Sequence, residues 1–470
     1  MRRGPLLDEA VDADRTRKHR CNVRLCMWMG FAGTFFMQAA TGPFLDIYMY
    51  KVSGSNRLVG AVESARGITQ LLAAPALGML ADSVNRYQLA RVQSLLRAIP
   101  VALLVYTIAT DKHPLLYVAM PMLAVSSHLG DTVRQALLVD NIRDGPDRTK
   151  IISRGFSLRY VGLAAGPILQ LVVLFCLGDL HGEGGDQSNG GWQLSALRVT
   201  LIAGCLSYLI GEPMCLFLKQ VPPLVDPPAA AAPTSEVQGT NGSTSQLTQE
   251  NSAAAADCGS VAEQDWRQDV VMRCCGGGVR KMWAIPVLVE FAFVIILLGS
   301  GMSTKFFPLY FTSEFNLSPL GLCLLNIAEP MGVAIITQAN HRVTKRIGRA
   351  TYATILLGVA ATALVAVATL HSIAIVAPIF VLRTATGRAY IPLLQSIVAT
   401  CVPPEHRGKF AAMHAFRMSF FSAGAFVGSW LADMDHSYRP AFLVTAVWQA
   451  CCLLFFAPVV AWMPRGSNDA

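Results

Sequence analysis

The chain has 470 residues, of which 53% are hydrophobic and 14% charged, with a mean hydropathy of +0.44. Soluble domains carry about one-quarter charged residues, so this balance excludes an ordinary soluble domain and makes a bilayer the expected solvent. The net charge of +8 sits in short Lys/Arg clusters between apolar stretches, not in one patch, which argues against a nucleic-acid partner and for membrane orientation.

Residues 1–24 form a basic N-terminal tail without the apolar core of a cleaved signal peptide, so the first apolar run, from Leu25, is expected to stay as the first helix. A spanning helix needs about 20 mostly apolar residues. Such segments fall near 25–47, 58–81, 90–109, 114–139, 155–178 and 194–218, then near 283–312, 319–340, 350–370, 372–401, 410–432 and 438–463. The expected fold is therefore an all-α integral membrane protein of twelve transmembrane helices, arranged as two pseudo-symmetric six-helix bundles, 25–218 and 282–463. Between them, 219–281 contains a Pro/Ala/Ser/Thr/Gln/Gly-rich stretch with no apolar periodicity and reads as a disordered linker. Residues 464–470 form a short C-terminal tail.

Lys and Arg alternate between loops as the positive-inside rule requires if the N-terminus is cytosolic. Arg15, Arg17, Lys18, Arg20 and Arg24 precede the first helix, and Arg342, Lys345, Arg346 and Arg349 follow the eighth, whereas Gly178 to Gln193 holds acids and no Lys or Arg. Both termini and the linker are expected in the cytosol. The choice between plasma and organellar membrane stays open. The twelve Cys are scattered without paired metal-ligand spacing, so no metal or cofactor is expected; Cys274-Cys275 is either a palmitoylation site or an unmodified loop dithiol.

A local repeat links the halves. Leu158 to Gly166 (LRYVGLAAG) in the fifth helix aligns without gaps with Phe416 to Gly424 (FRMSFFSAG) in the eleventh, pairing Arg159 with Arg417 and Gly166 with Gly424. Duplicated bundles that rock about a central site are a common transporter design.

The loop after the second helix reads Gly78-Met79-Leu80-Ala81-Asp82-Ser83-Val84-Asn85-Arg86. Here the chain resembles the major facilitator superfamily, whose signature in this loop is G-x-L-A-D followed by basic residues; Asn85 stands where a Gly is usual. The resemblance implies a conformational latch made by Gly78, Asp82 and Arg86. The corresponding stretch in the second half, Asn340 to Arg349, keeps the basic residues and Gly348 but lacks the acid. In the fifth helix Gly162, Gly166 and Pro167 match the G-x-x-x-G-P core of a motif that the superfamily associates with proton-driven export, although small residues four apart also serve close helix packing whatever the direction of transport.

Ionisable residues inside apolar helices are costly and mark pathways by default. Glu329 and Arg388 fall near the midplane, with His128 and Arg383 not far from it. Glu63 and Arg66 lie three apart toward the outer side of the second helix, and Asp131 and Arg134 repeat that spacing toward the cytosolic side of the fourth. Arg97, Asp46, Glu290 and Lys305 read as helix-end residues that snorkel or pair with loops. Glu329 is the candidate acceptor of a proton or cation, and Arg388 its partner or the anchor of an anionic substrate group. A permanent structural ion pair is the alternative. Prolines 43, 100, 167, 308 and 392 lie inside helices and are expected to kink them.

The sequence is read as a monomeric, proton-coupled secondary transporter of a small solute, working by alternating access in a lipid bilayer. The midplane arginines lean toward a solute with a negative group. A transport-inactive sensor or scaffold on the same fold, or a facilitator without ion coupling, are the alternatives. No HExxH, GxSxG or GxxxxGK[ST] pattern occurs, so neither an enzyme nor an ATP-driven pump is expected.

Overall fold

A computed structural model describes residues 5–142, 146–178, 192–222, 270–274, 277–402, 407–434 and 437–463. Among these residues the helices line up into twelve rods. The first six are Pro5–Thr41 with Pro43–Ser53; Asn56–Ser83; Arg86–Leu96 with Ala98–Thr110; Leu116–Asp140; Pro146–Leu177; and Leu194–Leu206 running on through Tyr208–Gly211 and the 3-10 turn Glu212–Phe217. The second six are Lys281–Thr304 with Phe307–Glu314; Pro319–Ile347; Arg349–Thr369; Ile373–Ala389 with Ile391–Cys401; Arg407–Met434; and Arg439–Trp462. Among the described residues eight of these rods are long and apolar enough to cross a membrane. Their outward faces carry large apolar side chains in the open, among them Leu72, Phe175, Phe217 and Leu454, while Arg and Glu side chains are buried between rods. That inversion of the soluble pattern is what a lipid solvent requires.

Two stretches read as tail or linker carry structure. The first rod begins at Pro5, twenty residues before the apolar run, because Ala, Leu, Glu, Asp and Arg there sustain a helix without needing a bilayer. Within 219–281, Val270–Cys274 and Gly277–Arg280 pair as an antiparallel hairpin leading into the seventh rod. Lys219 and Val221 are tied back to the bundle, through Lys219 N–H to Asn22 Oδ1 at 3.0 Å and Tyr87 O–H to the Val221 carbonyl at 3.2 Å. The Pro/Ala/Ser-rich stretch itself, residues 223–269, lies outside the described residues.

Among the described residues five rods are interrupted, and four of them, all but the sixth, break just ahead of a proline. The breaks fall at Gly42 before Pro43, at Arg97 before Pro100, at Lys305 and Phe306 before Pro308, and at Tyr390 before Pro392. Proline has no N–H to give and its ring crowds the carbonyl four residues back, so the ladder yields on its N-terminal side. Pro167 leaves the fifth rod continuous. The breaks in the first and seventh rods occupy equivalent places in the two halves, and both face the centre of the molecule.

The halves meet where the second rod runs along the eleventh and the fifth along the eighth. The start of the first rod and the close of the twelfth are at one end, here the terminal end; the opposite is the far end. At the far end one apolar core is built from both halves, with Phe44, Tyr48 and Leu116 beside Phe306, Tyr310 and Phe442. At the terminal end each half keeps its own core, around Leu137 and Tyr87 in one and around Ile285, Leu394 and Phe456 in the other. The two bundles are therefore closed on each other at the far end and parted at the terminal end.

Candidate functional site

The breaks in the first and seventh rods bound a cavity of about 200 Å³ between the halves. Thr41, Gly42, Pro43 and Asp46 line it from one side, and Thr304, Lys305, Phe307 and Pro308 from the other. The eighth and tenth rods complete it with Asn326, Glu329, Phe380, Arg383, Thr384 and Arg388. Of the residues singled out in the sequence, Glu329, Arg388, Arg383 and Arg66 thus share one cavity.

Glu329 and Arg388 are joined, Arg388 Nη2 standing 3.0 Å from Glu329 Oε1 across the eighth and tenth rods. The pair belongs to one half. Arg388 keeps about a third of its side chain exposed (35%) while Glu329 is mostly covered (13%), so the bond faces the cavity and is open to a solute on the Arg side. Arg383, one turn earlier, is buried with its guanidinium 4.9 Å from the centre of the Phe307 ring.

A second group crosses between the halves. Lys305 Nζ lies 3.4 Å from Asp46 Oδ1 and 3.3 Å from Glu63 Oε2, and Arg66 Nη1 lies 3.4 Å from that same Glu63 oxygen. Asp46 and Lys305 are corrected here from helix-end residues to members of a buried quartet. The first and seventh rods continue to Ser53 and Glu314, past the polar Asp and Lys at which an apolar window weakens. Asp46 falls in the first turn after one break and Lys305 caps the helix before the other, where the helix dipoles favour an acid and a cation respectively. Only the charge spacing across two distant helices would have revealed the group, and one sequence does not show that.

Arg97 and Glu290 are corrected likewise. Arg97 forms a buried ion pair with Glu212, at the break of the third rod. Glu290 receives both its bonds, at 2.8 and 2.7 Å, from Arg417 Nη1. His128, Asp131 and Arg134 lie away from the central cavity, inside the first half. The His128 ring is 3.3 Å from Gln70 Nε2, and Asp131 is held by Arg134 at 3.0 Å and Arg159 at 3.6 Å.

At the terminal end Arg86 Nη1 donates to both oxygens of Asp140, at 2.8 and 2.7 Å, tying the start of the third rod to the end of the fourth. The side chain of Asp82 lies outside the described residues, and a Cβ at Gly78 would meet nothing within 4 Å. In the second half the equivalent rods are also tied. Arg349, the first residue of the ninth rod, bonds Ser396 Oγ at 2.6 Å and Thr400 Oγ1 at 3.1 Å near the end of the tenth.

Gly162 and Gly166 bring the fifth rod onto the first. A Cβ on Gly166 would stand 2.7 Å from Gln38 Cβ and 3.0 Å from the Ala39 nitrogen. Gly424, its counterpart in the eleventh rod, presses in the same way on Leu298 of the seventh. Gly166→Leu should therefore cost about 1 to 3 kcal/mol by overpacking. Unfolding of purified variant and wild type in detergent measures this, and equal midpoints would show that the contact is slack.

The helical arrangement is matched by known proteins. The model of the Major Facilitator Superfamily matches residues 27–416 and 289–468. The chain belongs to the major facilitator superfamily. Three solved structures of this superfamily member's fold are similar to it at 12–13% identity, which establishes fold alone. A variant of the nucleoside transporter NupG superposes with a TM-score of 0.62 over 93% of this chain and 99% of its own, at 12% identity. A bacterial homologue of the human lysosomal transporter Spinster, inward-facing and unoccupied, gives 0.57 over 97% and 99%, at 13% identity. A bacterial homologue of the iron transporter ferroportin, inward-facing, gives 0.60 over 95% and 99%, at 13% identity. No curated protein sequence matches the chain. As a facilitator-superfamily protein it is a multi-pass membrane protein of the transporter class, not an enzyme.

Proposed function

We propose that the protein is a secondary active transporter that moves a small solute by alternating access and couples it to protons through Glu329 and Arg388. The observation that carries this is the cavity between the two halves, bounded by broken rods and faced by a carboxylate–guanidinium pair exposed on its Arg side. A carboxylate in such a place changes its proton affinity when its cation is drawn away. A solute that engages Arg388 releases Glu329 to take a proton, and the neutral carboxyl no longer holds the eighth and tenth rods in the same register. With the basic loops placing both termini in the cytosol, the conformation described here faces inward. Arg86 and its Asp140, with Gly78 and Asp82 beside them, stand where the terminal-end latch would form when the halves close there.

The test is internal pH in sealed proteoliposomes containing the purified protein, with a panel of organic anions, drugs and sugars added outside. Wild type should show proton flux evoked by one solute class, and Glu329→Gln should lose it while still exchanging labelled solute for unlabelled. Proton flux that survives in Glu329→Gln would remove the coupling assignment. Solute uptake without any proton flux would leave a facilitator, and silence across the panel a non-transporting member of the fold.

A further inference from the structure

The cavity has an unbalanced wall. Two acids in the wall, Asp46 and Glu329, and a third behind it, Glu63, which touches Arg66 and Lys305, stand against four wall cations, Arg66, Lys305, Arg383 and Arg388. All but Arg383 are in ion pairs; among the described residues no carboxylate lies within ion-pair distance of it. Its side chain is only 6% exposed, and its Nε finds no protein acceptor. The phenylalanine face beneath it compensates a buried guanidinium only in part.

Two neighbours share that condition. Thr384 Oγ1, next along the tenth rod, and Asn326 Nδ2 on the facing eighth rod are buried and without a hydrogen-bond partner, and both residues line the same cavity. Each is a donor, and the Arg and the amide nitrogen can do nothing else. Buried donors left unpaired are costly, and a cluster of them beside an uncompensated cation is matched by an oxyanion with several lone pairs. Phe307, Phe311 and Phe380 line the same cavity beside them and offer an apolar surface. The volume, about 200 Å³, suits a small organic molecule.

We infer that the cavity is a receptor for a compact organic monoanion, whose carboxylate is held by Arg383, Thr384 and Asn326 and whose apolar body lies on the phenylalanines. The inference rests on the cavity being the solute path, and it moves the anion anchor from Arg388, which Glu329 already engages, to Arg383. Because a single cation is uncompensated, a monocarboxylate fits the charge balance better than a dicarboxylate.

The experiment is binding to the purified full chain in nanodiscs, followed by intrinsic tryptophan fluorescence, with benzoate, hexanoate, succinate and the uncharged benzamide as probes. Benzoate should bind at least tenfold more tightly than benzamide, and succinate more weakly than benzoate. Arg383→Gln should lower benzoate affinity about 10- to 100-fold, the loss of a charge-assisted hydrogen-bonded contact, and leave benzamide unchanged. Unaltered benzamide binding also shows that the variant is folded, and Arg383→Lys should recover part of the loss. Equal binding of benzoate and benzamide, no binding of either monocarboxylate, or unchanged benzoate affinity in Arg383→Gln would overturn the inference. Counterflow in proteoliposomes separates the two readings. Benzoate binding without counterflow would sink transport and leave the anion site standing, whereas counterflow confined to uncharged solutes would keep transport and remove the anion site.

Discussion

Replacing Lys305 with Met should open the far end. Among the described residues Lys305 is the one cation within ion-pair distance of Asp46, and it also touches Glu63, so its loss leaves Asp46 buried between the halves without its direct partner. Breaking a buried pair on one side costs about 3–5 kcal/mol. That is enough to move the balance between far-closed and far-open forms by more than about 100-fold, because the penalty falls only on the form in which the group is buried. Spin labels at Lys112 and His371, exposed far-end positions in opposite halves, report the change as a distance distribution displaced to longer values. Asp46→Asn combined with Lys305→Met should return most of the distribution to the wild-type range, since the orphaned charge is then gone. An unmoved distribution in the single variant would show that the quartet does not hold the halves together.

The second large effect is expected at Asp433, the far-end terminus of the eleventh rod. Its carboxylate accepts from Ser55 Oγ at 2.8 Å, from Asn56 N–H at 3.1 Å and from Asn56 Nδ2 at 2.9 Å, with Arg57 Nε at 3.4 Å. An acid from one half thus caps the second rod of the other, where the first backbone N–H groups lack helical partners. Hydrogen bonds to a charged group are worth about 1.5–3 kcal/mol. Asp433→Ala should speed backbone hydrogen exchange across residues 55–59 by about tenfold or more, with Asp433→Asn intermediate. Exchange in the ninth rod, away from this seam, should stay as it was. Equal rates at 55–59 in wild type and Asp433→Ala would show that the cap carries no share of the closure.

The architecture was legible because its signal is long and redundant: twelve apolar windows, alternating basic loops and one loop motif all point to the same fold. Glu329 and Arg388 were found because each interrupts an apolar stretch near its middle. Asp46 and Lys305 were missed by the same rule, since each lies toward the end of its predicted segment and was read as a residue that snorkels or pairs with a loop. Asp140 went unremarked beside Arg86 because an acid at the foot of a helix looks like a loop residue until its partner is known. The counterpart of the terminal-end latch was sought as an acid, and the hydroxyls of Ser396 and Thr400, which also bond Arg349, escaped notice. A sequence comparison by residue type does not see such a bond. The donors of Asn326 and Thr384 carry no charge to draw notice, and only their shared wall makes them a site.

The seam at Asp433 is made of short side chains. Apart from the exposed Arg57, whose Nε stands off at 3.4 Å, its members are serine, asparagine and aspartate, with one or two rotatable bonds each, and a backbone donor. Such bonds do not stretch to follow a retreating partner as a lysine or arginine would. Once the eleventh rod withdraws by about an ångström, these contacts pass beyond the distances at which hydrogen bonds hold, and they do so together. The far end is therefore brittle, not compliant: it resists small displacements and then gives way at once. A rocking protein with such a rim dwells in one posture and crosses quickly to the other, spending little time ajar with its interior open to both sides.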